Sequence, residues 1–248
     1  SNLAANGSYT ATVSTGVKQT LKTFPEFTQL YLGLGEGSLS SDDRYAPLIG
    51  ESAGGLAVVI YDTVNNVEVS RKSFPGQSTA TMDWTSMSPS GQYVVVNIID
   101  SETGTAVYDV YDRQWNYLRR LNAYAGGHAD MGYDSGGSEV MVSAHFVGGQ
   151  GVLVTTTRLA DNAVQQQLPG ISQPAGIYMT SNYHISCQNV NRPGYCYISG
   201  FASDVALNAY MYREVFALKL DGSGAIERFA QDFKAPLPLA DLSYSRAS

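Results

Sequence analysis

The stretch Thr81–Leu121, TMDWTSMSPSGQYVVVNIIDSETGTAVYDVYDRQWNYLRRL, decides the fold of this 248-residue chain. It reads as four short strands separated by turns. Thr81–Ser88 stops at Pro89-Ser90-Gly91, Tyr93–Ile99 stops at Asp100–Gly104, and Thr105–Asp112 leads over to Asn116–Leu121. Val, Ile, Thr and Tyr fill the runs, while Pro, Gly, Ser and Asp punctuate them, as strand and turn chemistry require. The punctuation recurs. One turn series is Ser41-Asp42-Asp43-Arg44, Pro89-Ser90-Gly91-Gln92, Ser135-Gly136-Gly137-Ser138 and Asn191-Arg192-Pro193-Gly194. A second places Asp62, Asp112, Asp161 and Asp221 just after hydrophobic runs, at steps of 50, 49 and 60 residues. A four-strand unit repeating at about 40–50 residues is a β-propeller blade.

Working outward, the chain reads as all-β, one propeller domain over 1–248 built of four-stranded antiparallel blades. The blades span about 27–74, 75–123, 124–170 and 171–233. The strands Tyr9–Ser14 and Val17–Phe24 and the segment 239–245 are left at the ends. If the termini close the ring together, they complete a fifth blade; otherwise the chain is part of a six- or seven-bladed propeller. An open ring would leave long unpaired edges, which folded proteins avoid.

Composition narrows the function. Twenty-two acids against 15 bases give a net charge of −7, the wrong sign for a phosphate-backbone binder, so no nucleic acid is expected. Forty-four per cent hydrophobic residues supply a core, yet no run has the length of a membrane-spanning helix. Without an initiator Met or a signal-peptide core, the chain reads as a mature or trimmed product. Low charge, 17 Tyr and two Cys point to a secreted, periplasmic or cell-surface protein. No Gly-x-Ser-x-Gly elbow and no DxDxDG calcium loop is present.

Three histidines carry the candidate chemistry. His128 and His145 are equidistant from position 136.5, the middle of the Ser135–Ser138 turn, so a symmetric hairpin makes them cross-strand neighbours. His184 precedes Gly194 by ten residues, as His128 precedes Gly137 by nine. That puts it at a near-equivalent place on the first strand of the next blade. Imidazoles gathered this way suit proton transfer or metal binding. Cys187 and Cys196 are likewise equidistant from 191.5. They form either a disulfide or, with His184, part of a structural zinc site. Tyr178, Tyr183 and Arg192 lie nearby in sequence. Asp130 precedes a turn and is expected to satisfy local N–H groups.

The stretches Gly127–Asp134 through His145, Tyr183–Cys187 leading to Arg192–Cys196, and Glu214–Gly224 resemble bacterial secreted β-propellers, a group that includes polysaccharide lyases of the ulvan-lyase type. The resemblance implies β-elimination on a uronic-acid polysaccharide. His128, His145 and Tyr183 would be catalytic, and Arg192, Tyr178 and Arg213 would bind substrate. No cofactor is required beyond the zinc alternative, and the partner is a polysaccharide or another cell-surface ligand. The sequence departs from the family at Ser199, near which the lyases carry an Arg, and in length, since the lyases have seven blades. The alternative is a non-catalytic binding or scaffold propeller. Oligomeric state cannot be read from the sequence.

Overall fold

The computed structural model describes residues 2–3, 8–12, 18–33, 37, 39–82, 84–123, 128–147, 151–168, 182–201 and 214–231. All regular structure among them is β. The chain divides into two compact units, Ser1–Leu121 and Asn122–Ser248.

In the first unit, strands β1 (Asn2–Leu3), β4 (Gln29–Leu32), β5 (Tyr45–Ser52), β6 (Gly55–Asp62) and β7 (Val67–Pro75) form one antiparallel sheet in that spatial order. Strands β8 (Thr85–Met87), β9 (Tyr93–Ile99), β10 (Ala106–Asp112) and β11 (Tyr117–Arg120) form a second. The expected terminal strands β2 (Ser8–Thr12) and β3 (Lys18–Thr23) pair with each other as a separate hairpin. The third and fourth sheets belong to the second unit: β12 (His128–Tyr133), β13 (Glu139–Val147), β14 (Gly151–Arg158) and β15 (Val164–Leu168), then β16 (Asn182–Ser186), β17 (Tyr195–Phe201), β18 (Glu214–Lys219) and β19 (Ile226–Gln231). Four sheets following one another in chain order, each with four strands paired to their sequential neighbours and the first joined also by β1, are the blade repeat of a β-propeller. Segment 239–245 lies outside the described residues.

Burial explains the sequence pattern. The run Leu56–Tyr61 is continuous because β6 is covered on both faces, the case in which alternation disappears. Leu56, Val58 and Ile60 pack with Ile49 and Phe74 against Met87, Val94, Val96 and Tyr111 of the second sheet. Ala57, Val59 and Tyr61 pack the other way, against Phe24, Phe27 and Leu30. In the second unit, Val140, Val142, Ala144, Val154 and Leu168 meet Ile185, Ile198, Phe216 and Leu218 in one core between the third and fourth sheets. The fourth strands are the exception: β7, paired on one side only, alternates exposed and half-buried positions along most of its length.

The two turn series are seen as hydrogen bonds. Asp43, Gly91 and Gly137 each donate their N–H three residues back, to Ser40, Ser88 and Asp134, and each has a positive φ. The Asp series caps the turns between the third and fourth strands of the four sheets. Asp62 Oδ1 accepts from Val64 and Asn65 N–H, Asp112 Oδ1 from Gln114 and Asn116, Asp161 from Ala163 and Asp221 from Ser223. These are Asx turns, in which the side chain takes the place of a backbone acceptor.

Candidate functional site

The site is built on β12 and β16, the first strands of two successive sheets within one unit. Cross-strand partners share a face. His128, Asp130 and Gly132 pair with Ala144, Val142 and Val140, so all three sit on the face that packs on the fourth sheet. There the rings of His128 and His184 meet, centroids 4.8 Å apart and planes inclined by 63°. Two of the three histidines therefore converge, as their equivalent places in successive blades predicted.

The hairpin pairing of His128 with His145 does not hold. His128 is opposite Ala144, and His145 is opposite Leu153 of β14. The reason is loop length. In the second sheet Ser88 pairs with Tyr93 around four residues, whereas here Asp134 pairs with Ser138 around only Ser135, Gly136 and Gly137. An i→i+3 turn followed by a left-handed Gly makes a three-residue hairpin loop, centred on Gly136 and not between 136 and 137. One residue of offset moves a strand position to the other face.

Asp130 stands inside β12 rather than at the turn, whose N–H groups are taken by Asp134. The residue is 2% exposed, and its carboxylate Oδ1 accepts from the Met131 N–H at 2.7 Å. Oδ2 reaches across to the Cys187 N–H, also at 2.7 Å. Gly132 makes that approach possible: a Cβ there would lie 2.8 Å from Cys187 Cβ and 3.0 Å from its carbonyl oxygen. Cys187 and Cys196 are joined as a disulfide with Cα atoms 4.2 Å apart. They continue the β16–β17 register in which Ser186 faces Tyr197. Both are buried, at 5% and 0% exposure. Sulfurs bonded to each other are not the thiolates that zinc takes as ligands, so in this state the His184–Cys187–Cys196 set has no thiolates to offer. Among the described residues no group of three His, Cys, Asp or Glu is placed to hold a metal.

Arg192 is turned elsewhere. Its guanidinium makes a two-pronged ion pair with Glu227 on the outermost strand and lies 3.7 Å from the centre of the Tyr195 ring. The carboxylate, opposed by some desolvation, raises the Arg192 pKa further above its ordinary value. β19 stands three strands from β16, about 14 Å away at the usual spacing, so Arg192 is not beside the histidine pair. Tyr183 is placed on β16 opposite Gly200, while Tyr178 and Arg213 lie outside the described residues. A second feature was not legible in the sequence: a cleft of about 330 Å³ in the first unit, lined by residues 51–56 and 76–78. Gln77 Oε1 is buried and unbonded at its wall.

No family model matches the sequence, and no curated protein is significantly similar to it. Solved structures share its fold. TolB from Acinetobacter baumannii matches at a TM-score of 0.55 and 13% identity, over 89% of this chain and 48% of that one. Hydrazine synthase from Kuenenia stuttgartiensis gives 0.55 and 14%, over 91% and 60%. A prolyl endopeptidase gives 0.52 and 11%, over 96% and 37%. The chain thus spans about half the length of the TolB it matches. The fold is that of a β-propeller. At such identities the likeness concerns the fold alone, and none of these structures is a polysaccharide lyase. Among the described residues no helix is long and apolar enough to cross a membrane.

Proposed function

We propose that this chain is an extracytoplasmic β-propeller module that binds a cell-surface or envelope ligand and does not turn it over. The observation that carries the reading is the charge beside the histidines. The ionisable group two residues along β12 from His128 is a carboxylate, Asp130, whereas Arg192 is engaged by Glu227 at the far side of the sheet. A lyase acting on a uronate must neutralise the substrate carboxylate while the neighbouring proton is removed, and a preorganised cation does this. An anion in that place opposes the same substrate. The strand register, which sets His128 opposite Ala144 and not His145, also speaks against the lyase reading. The disulfide supports an oxidising compartment, because cytosolic reductants keep such pairs open.

Incubation of the chain with uronic-acid polysaccharides tests the reading. Elimination creates a double bond that absorbs in the ultraviolet. A flat absorbance trace, together with saturable binding to the envelope fraction of the native source, is expected. A rise in absorbance that His128→Ala abolishes would overturn the proposal in favour of the lyase.

A further inference from the structure

We infer that His128 and His184 form a two-histidine site for a divalent transition-metal ion of the zinc, nickel and copper class. The inference deepens the binding reading by naming a ligand for that pair, and it rests on that reading only in treating the pair as a ligand site.

The argument begins with distance. Imidazole binds zinc through a ring nitrogen at about 2.0–2.1 Å, and the ring centre lies about 1.1 Å behind that nitrogen. Two rings on one ion therefore stand about 4.5 Å apart at a right angle and about 5.2 Å apart at the tetrahedral angle. The observed centroid separation of 4.8 Å falls between these values. The rings are inclined by 63°, and the bond that turns each ring, χ2, is a soft torsion. Rotation about χ2 can reorient the ring nitrogens without moving the strands.

The second argument is rigidity. A metal site needs donors held in place before the ion arrives. β12 and β16 are fixed to each other by the Asp130 carboxylate on the Cys187 N–H and by the close approach at Gly132. β16 is fixed to β17 by the disulfide immediately beyond it. Beyond the far end of β12, further clips tie the two sheets: the Ser135 N–H donates to the Leu220 carbonyl, and the Gly222 N–H donates to Gln167 Oε1.

Charge is the third. Asp130 shares the face of β12 with His128, about 6–7 Å along the strand, and its negative charge attracts a cation. Its oxygens accept from the Met131 and Cys187 N–H groups, and the proposal uses it only through its field. With the sulfurs closed in a disulfide, imidazole nitrogen is the donor that remains, and it suits zinc, copper and nickel. Among the described residues no third side chain completes the set, which leaves the other coordination positions to water or to a donor on the bound partner.

The test is calorimetric titration of the full chain, treated with EDTA and kept oxidised, with zinc and then nickel. One ion per chain is expected. His128→Ala and His184→Ala should each weaken binding by about tenfold or more, and His145→Ala should leave it within about twofold. Thermal midpoints without metal show whether each variant is folded, and His128→Gln and His184→Gln replace any alanine variant that is not. Absence of stoichiometric binding, binding that survives both substitutions, or binding lost only in His145→Ala would overturn the site. A flat titration would leave the binding reading untouched, since that reading is judged by the absorbance trace.

Discussion

Gly132 illustrates how much a single position decides. The backbone of β12 approaches Cys187 closely here because the side chain is missing, and a methyl group would meet Cys187, which is tied to Cys196 by the disulfide. Gly132→Ala is expected to cost about 1–3 kcal/mol through overpacking. Urea unfolding monitored by far-ultraviolet circular dichroism would measure it, and an unchanged transition would show that the strands can separate freely. Nothing in the sequence marks Gly132 apart from the other glycines, because its constraint comes from a residue 55 positions away. Asp130 differs in degree. Its capping of the Met131 N–H follows from local chemistry, whereas its bond to Cys187 needs the neighbouring sheet.

At the scale of the element, the β16–β17 hairpin and the β12–β13 hairpin respond differently to the same reasoning. Equidistance from a turn centre places Cys187 opposite Cys196 correctly, but it misplaces His145 by one residue because the loop of the third sheet is one residue shorter than that of the second. Loop length is visible in sequence only once the closing pair is known. The disulfide closes a short loop, at a separation of nine residues, and its entropic contribution is about 2–3 kcal/mol. Cys187→Ala/Cys196→Ala should lower the denaturation free energy by that amount, and reducing agent should lower the parent's stability without affecting the double variant. Equal stability with and without reductant would contradict this. The β10–β11 pair has a different brace: Arg120 forks onto the buried Asp109 at 2.8 and 3.2 Å and also reaches Asp100.

Across the whole molecule, the excess of acid is organised by the turns. Burial works against ionisation of Asp62, but the Arg44 guanidinium and the Asn65 N–H groups outweigh it and hold the carboxyl at about 2. Asp100 is also held at about 2, first by the Thr103 N–H and then by Arg120. The Ser40 hydroxyl lowers Asp42, and the Asn116 groups lower Asp112 against some desolvation. An unfolded Asp titrates near 3.8. Folded carboxyls below that value add stability that is complete above about pH 4 and is lost as pH falls towards 2. Thermal midpoints should therefore be flat from neutral pH to about pH 4 and fall steeply below it. Arg44→Ala should flatten part of that fall, and a midpoint that rises on acidification would contradict the assignment.

The repeat could be read from the chain alone. Strand length, turn chemistry and the spacing of Asp62, Asp112, Asp161 and Asp221 are local properties, and each blade is a local unit of hairpins. The cysteine pairing was legible for the same reason. The rest needed the tertiary structure: that the register sets His128 opposite Ala144 and not His145, that Asp130 reaches into the next sheet, and that Arg192 turns to Glu227. Those contacts join residues on different hairpins or depend on a one-residue register. Packing between sheets sets them, and no spacing within one strand can.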